Sequence, residues 1–395
     1  MKIEWLIALY LFVSLMMIVF NFGFLGYEKV HAKRFATKTA RIAEALRVEI
    51  ARNAEFPTDE HKRMLERRMK QLSGMESFDL TMTRLEELDP EKSNRYLQGI
   101  GTVFDHLTYH FAKKSDLHRA YFAYVLKRWY RQQPASDTVI QALLHAVREG
   151  SFYARQNAFE ALAQVGSARA FADAVALVER GGDFHHPKLV TETALAFAGD
   201  AHELEEELRE RFDSFLPHTQ AAVINYLRMS GRGDPEKLCA LLDDDTADLE
   251  VRLACARYFM RNFWEPAEAV LRRLAASDDP ATWEYAAVAA TALASYPSIE
   301  TFEVLKRCLS SSSWFVRQNA AKTLFDWGLS LDDLDDVMNG PDAYARDMLT
   351  YRWELEDIGH SAAGGMPPGQ PTATPLADQQ VITAAKLAPE SGVGA

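Results

Sequence analysis

The 395-residue chain is 48% hydrophobic and 25% charged, the composition of folded protein. It is too long for a single core, which stops growing at roughly 250–300 residues, unless it is built as a repeat array. Its net charge of -12 is unevenly placed: Glu28 to Arg131 holds 21 Lys/Arg against 15 Asp/Glu, and Gln132 to the end holds 22 against 40. The acidic part would repel phosphate, which argues against nucleic acid as a partner.

In chain order, the first expected element is a membrane anchor within residues 1–27. Trp5 to Leu25, WLIALYLFVSLMMIVFNFGFL, carries no charge, and only Ser14 and Asn21 are clearly polar. About 20 apolar residues suffice to cross the hydrocarbon core as a helix. A cleaved signal peptide is the rival, with Val30-His31-Ala32 as a faint cleavage site. Its apolar region would be shorter, about 7–15 residues, and preceded rather than followed by positive charge. Lys2 and Glu4 cancel before the segment, whereas Lys29, Lys33, Arg34, Lys38, Arg41 and Arg47 follow it. The positive-inside rule then puts the amino terminus outside and the bulk of the chain in the cytoplasm, as a single-pass inner-membrane protein.

Residues 28–90 are expected to be a basic helical juxtamembrane region, extended by Lys62, Arg63, Arg67, Arg68 and Lys70. Each cation near an anionic leaflet contributes on the order of 1 kcal/mol. The helical stretch from Ala32 to Arg52 either lies along that surface or stands off it as a stalk. Glu44, Glu49 and Glu55 alternatively make it a solvated helix with intrahelical pairs. Thr58 to Leu88 is also expected to be helical.

From residue 91 to 357 the sequence repeats. FYARQNAFEAL from Phe152 and WFVRQNAAKTL from Trp314 share Arg-Gln-Asn-Ala, an aromatic three residues before the Arg and a Leu seven after it. With Arg155 as frame zero, the frame recurs at Lys188, Gln220, Arg252, Ala286 and Arg317, at spacings of 33, 32, 32, 34 and 31 residues. Arg119 lies 36 upstream and Arg346 lies 29 downstream. Between the frames lie further runs with apolar residues at three and four, the helical period. Asp234-Pro235, Ser298 and Asp279-Pro280 supply start signals. A helix pair of this length cannot bury its apolar face alone, so an all-α solenoid of stacked helix pairs is expected. The tail, residues 358–395, is rich in Gly, Pro, Ala and Thr from Gly359 and is expected to be disordered.

The unit of about 32 residues, with Val/Ala-Arg-x-x-Ala-x-x-x-Leu opening its second helix, resembles the HEAT-repeat family, especially short bacterial HEAT-like repeats. FVRQNAAKTLFDWG and EVRLACARYF carry the resemblance best, and the units at Lys188, Gln220 and Ala286 lack the Arg. The resemblance implies a scaffold that binds a protein partner, on the concave face by default. Some HEAT-like proteins are bilin lyases or DNA glycosylases, so a lyase-type enzyme or a ligand-sensing regulator is the alternative.

Candidate partner-binding residues are the aromatics before the frame, Phe152, Trp283 and Trp314, with His185 in the same series and Tyr153, Tyr285 and Phe315 beside them. The polar positions Gln156, Asn157, Glu160, Gln318, Asn319 and Lys322 accompany them. Aromatics at such places either form binding hot spots or plug the seams between repeats. The basic ladder Arg119, Arg155, Lys188, Arg252, Arg317 and Arg346 either grips a carboxylate-rich partner or pairs within the array, capping neighbouring helix ends. His106 and His110 lie four apart beside Asp105, but Leu107 stands where a zinc protease needs Glu. Gly231-Arg232-Gly233-Asp234 falls at a turn, and Cys239, Cys255 and Cys308 lack metal-like spacing and fit a core in a reducing compartment. No phosphate-binding loop or nucleophile elbow is found, so no catalytic residue, metal or cofactor is expected.

Overall fold

The computed structural model describes residues 3–53, 55–131, 134–180, 187–277, 279 and 282–362. His185, His186, Pro280 and the expected disordered tail from residue 363 lie outside them. Among the described residues the regular structure is all helical, with twenty α-helices, short 3-10 turns and no strand. The chain forms two compact units, Met1–Phe184 with Ala196–Leu204, and His185–Leu195 with Glu205–Ala395.

The first unit holds α1 (Ile3–Asn53), α2 (Asp59–Met69), α3 (Leu72–Leu88), α4 (Pro90–Gly99), α5 (Gly101–Phe111), α6 (Asp116–Trp129), α7 (Asp137–Glu149), α8 (Phe152–Val165) and α9 (Ala168–Arg180). Here α5, α7 and α9 lie side by side in one row, with α6 and α8 in a second row against them. The next helices are α10 (Pro187–Leu195), which belongs to the second unit, and α11 (Ala201–Arg211), which spans the division. The second unit continues with α12 (Pro217–Ser230), α13 (Pro235–Asp243), α14 (Leu249–Arg261), α15 (Ala267–Ala275) and α16 (Trp283–Ala292). It ends with α17 (Ile299–Cys308), α18 (Trp314–Asp326), α19 (Asp335–Met338) and α20 (Ala343–Ala362). Its rows are α13, α15 and α17 on one side and α10, α12, α14, α16, α18 and α20 on the other. Two layers are the simplest way for one-sided apolar helices to bury their stripes.

Local chemistry sets the helix ends. Asp234 accepts hydrogen bonds from the Glu236 and Lys237 amides with Pro235 at the first helical position, and Ser298 accepts from the Thr301 amide. Gly166 and Gly231 end α8 and α12 with φ of 78° and 69°, a left-handed conformation that costs other residues a steric penalty. Helix α20 persists to Ala362, beyond the Gly359 at which the composition suggested that structure ends. Once a helix is formed, each further residue adds a bond for little entropy.

Helix α1 runs unbroken for 51 residues, about 77 Å at 1.5 Å per residue. It is the one helix among the described residues long and apolar enough to cross a membrane, and the side chains described between Leu9 and Leu25 are almost all exposed. Its second half is held by α3. Ser77 Oγ donates to the Thr39 carbonyl at 2.9 Å and Thr81 Oγ to the Ala43 carbonyl at 3.3 Å, while Leu46 and Ile50 are buried. Helix α3 is tied in turn to α6, because the Asp79 carboxylate accepts from Trp129 Nε1 and from the Arg128 guanidinium, both at 2.7 Å.

His61 on α2 is buried, with Nε2 2.8 Å from the Tyr96 hydroxyl of α4. Burial holds its pKa below the ordinary 6.5; Arg68 pushes the same way and Glu49 opposes it. As pH falls the unfolded chain takes up this proton first, so the contribution to stability is full above 6.5 and declines as pH drops toward the folded-state pKa. The expected result is a urea midpoint that falls between about pH 7.5 and 5.5, with a shallower fall in His61→Gln, which keeps a hydrogen-bonding group for Tyr96. Identical slopes in the two proteins would remove His61 from the titration.

Candidate partner-binding edge

The frame positions of the repeat open the helices of the second row. Arg252, 5% exposed on α14, donates from Nε to the Leu242 carbonyl at 3.1 Å, at the end of α13. Its other end lies 2.9 Å from the Asp245 carboxylate, and its guanidinium sits 4.5 Å above the Tyr285 ring of α16. Arg317 on α18 repeats the arrangement: it donates to the carbonyls of Ser311 and Ser312 at 2.6 and 3.2 Å, and its guanidinium lies over Tyr344 of α20 at 5.5 Å. Arg346 donates to the Gly340 carbonyl. A cation at the carboxyl end of one helix offsets its dipole and satisfies carbonyls that lack intrahelical partners. In these units the arginine grips the turn before it and, at Arg252 and Arg317, supports an aromatic of the next second-row helix. Arg119 pairs with Asp116 on its own helix, and Lys188 lies 3.5 Å from Glu192 at the surface. Arg155, on α8, is half-buried.

Two of the polar candidates make contacts at the spacing of the repeat. Asn157 Nδ2 donates to the Ala120 carbonyl of α6 at 2.9 Å, and Asn319 Nδ2 to the Ala287 carbonyl of α16 at 2.7 Å. Others that the sequence did not single out do the same in the second unit. Thr191 donates to Ala222, Asn262 to Arg228, Ser295 to Met260, Thr323 to Ala290 and the Trp327 indole to Ala294, at 2.7–3.2 Å. Gln156 and Lys127 both bond Glu160, at 3.0 and 2.5 Å, and exposed Lys322 pairs with Asp326. Gln318 is half-buried on α18.

The aromatics are placed differently. Trp314 is 44% exposed and Phe315 is exposed beside it, the two rings meeting edge to face with centroids 5.3 Å apart. Half-buried Trp283 stacks on Phe315 at 5.1 Å, so α16 and α18 share one aromatic cluster. In the first unit, Phe152 and Tyr153 are both exposed at the start of α8, with ring centroids 5.6 Å apart. The same place in other second-row helices also carries an exposed apolar side chain: Leu117 in α6, Leu249 in α14 and Tyr344 in α20, with Leu216 just before α12. Sequence reasoning missed these four. The signal was their position, two to four residues before the frame, and not their chemistry.

The remaining candidates settle elsewhere. His106 Nδ1 lies 3.1 Å from Glu66, which also binds Lys70 at 2.7 Å. Burial lowers the pKa of His110, with Lys114 and Lys70 adding to it. Among the described residues no three His, Cys, Asp or Glu side chains gather as a metal site. The Arg232–Asp234 turn is engaged by the fold: Glu205 accepts from the Gly233 amide at 3.1 Å and Asp234 caps α13. Cys239, Cys255 and Cys308 are buried, Cys308 Sγ donating to the Ala275 carbonyl at 3.2 Å, and burial pushes Cys255 up to about 12.

No family model and no curated protein matches this chain. Among solved structures, human deoxyhypusine hydroxylase in complex with glycerol is similar at 13% identity, over 76% of this chain and 96% of that one, with a TM-score of 0.25. A similarity this weak carries no argument about fold or function.

Arg252→Ala removes a hydrogen bond, an ion contact and a ring stack from one buried position. The expected loss is about 2–3 kcal/mol in urea unfolding. Arg252→Lys should recover less than half of it, because an ammonium has neither the fork nor the plane to serve the carbonyl and Tyr285 together. Full recovery by Lys would show that charge alone matters there.

Proposed function

We propose that this chain is a membrane-anchored α-solenoid of HEAT-like helix pairs that serves as a scaffold, binding a protein partner at the cytoplasmic face of the inner membrane. The observation that carries the reading is the partly exposed Trp283–Phe315–Trp314 cluster at the starts of α16 and α18 in the second unit. Large aromatic side chains clustered on a surface and left partly in water are the usual anchors of protein interfaces. The layered rows of helices, tied at the repeat spacing, support the solenoid part of the reading.

Anchoring is supported by the exposed apolar half of α1 and by its continuation past Ala32 into helix that packs on α3, which leaves no extended site for signal cleavage. The basic residues that follow the span, together with cysteines buried singly in the core, support a cytoplasmic bulk. Confinement to two dimensions would raise the effective concentration of a co-resident partner. The ligand-sensing alternative draws less support from the inter-helix grooves. Those among α11, α12 and α13 and among α5, α6 and α7 hold about 40 and 60 Å³, below the roughly 300–1,000 Å³ of ordinary ligand sites, while the groove between α1 and α3, at about 550 Å³, falls within that range.

The test is photo-crosslinking in native membranes from a benzophenone amino acid at Tyr153 or Tyr344, followed by mass spectrometry. The expected product is one stoichiometric protein partner, retained when residues 363–395 are removed. Trp314→Ala should lower its yield about tenfold with helicity and melting temperature unchanged. A loss of helicity in Trp314→Ala would make the residue core, and an unchanged yield would dismiss the edge.

A further inference from the structure

The parallel pair α1 and α3 leaves a second surface that the partner-binding edge does not use. The bonds from Ser77 to Thr39 and from Thr81 to Ala43 both span 38 residues, so the two helices run in the same direction, away from the apolar half of α1. Between them lies a groove of about 550 Å³. Ala43, Ile50, Leu80 and Leu85 line it, and Arg47, Arg84 and Lys92 stand at its rim. Leu80 is 50% and Leu88 77% exposed, and Val48 is exposed on the same stretch of α1. Acids share the neighbourhood, Glu44 within the groove and Glu87 and Glu91 exposed beside Leu88.

We infer that this groove is the self-association surface of the chain: two copies in one membrane pair groove to groove about a twofold axis along the membrane normal. The inference rests on the anchoring part of the reading above. Two geometric facts favour a second copy over other occupants. First, Ala40 to Ala51 lies 15 to 26 residues beyond Leu25, about 22–39 Å along the helix. The pairing takes α1 as standing along the membrane normal; a headgroup layer extends only some 5–8 Å beyond the hydrocarbon, so in that pose an anionic lipid does not reach the groove. Second, anchors of identical length hold every copy at one height and one polarity, so the groove of one molecule faces that of its neighbour at the same level. A twofold contact must be self-complementary. Here apolar side chains meet their own kind; Arg47 is already held by Glu44 of its own helix at 2.6 Å, which leaves Arg84 and Lys92 to meet Glu87 and Glu91 of the other copy. Tethering in the bilayer lets so small a surface suffice.

The test uses the full-length chain in its own membranes. Leu88→Cys, at the most exposed side chain of the groove, is oxidised with copper–phenanthroline and run without reductant; the three native thiols are buried and do not compete. The expected product is a predominant disulfide dimer, absent from Tyr351→Cys, an exposed position in the other unit. Leu80→Asp added to Leu88→Cys should lower the dimer about tenfold, since it brings a carboxylate into an apolar contact. Circular dichroism of that variant should be unchanged, because Leu80 is half in solvent. Crosslinking no greater than in Tyr351→Cys, indifference to Leu80→Asp, or a monomer that copurifies with anionic lipid would each overturn the inference. Carbonate extraction separates the premises. A membrane-retained chain without crosslinks fails as a dimer only, whereas release into the wash overturns anchor and dimer together and leaves the aromatic edge to its own experiment.

Discussion

A helix carbonyl that already accepts from the amide four residues ahead keeps a second lone pair, and that lone pair is where neighbouring helices of this chain are tied. Asn319 uses it at Ala287, Thr323 at Ala290 and Asn157 at Ala120, and the Trp327 indole bonds the Ala294 carbonyl in the turn just after α16. Each such bond contributes only about 1 kcal/mol net. Their value lies in register: a slide by one residue would leave a half-buried amide or indole without its acceptor. Arg252 and Arg317 add a longer tie, one end on the turn behind and the flat face under an aromatic ahead.

These ties divide the residues of the second-row helices into two kinds. Those that point along the row are consumed by the fold, as Asn157 and Asn319 are, while the apolar residues at the helix starts are left partly in water. The arrangement inverts the usual expectation, in which polar groups face a partner and aromatics fill seams. Tyr285 and Tyr344 stand between the two kinds, each supporting an arginine with one face. The edge and the internal ties are therefore built from adjacent positions of one motif.

That motif is what the sequence made legible. A period near 32 residues is visible without coordinates because the second-row helices recur with similar apolar positions, and those helices pack in a row within each unit. Arginine at the frame is equally visible, but its acceptors are not, since the Leu242 and Ser311 carbonyls are backbone and leave no mark in composition. Leu117, Leu216, Leu249 and Tyr344 escaped notice because one apolar residue in a first helical turn looks the same whether it is buried or exposed. The groove beside α3 was illegible for another reason: α1 to α3 lie outside the repeat, so their mutual placement depends on contacts such as Ser77 with Thr39 that no periodicity announces. The end of α20 was misjudged because composition reports where a core is lacking, not where a helix already begun will stop.

Helix α1 has no proline, bulge or turn between its apolar half and the stretch that α3 grips. A rod without a swivel carries rotation as well as height. Each residue added between Leu25 and Thr39 would lift the gripped stretch by about 1.5 Å and turn it by about 100°. The length of that spacer thus behaves as a phase angle, and the face that α3 meets is fixed to the face that the apolar half shows to its surroundings. Whatever orients the apolar half of α1 also aims the helices packed on its second half, as a keyed shaft aims its wheel.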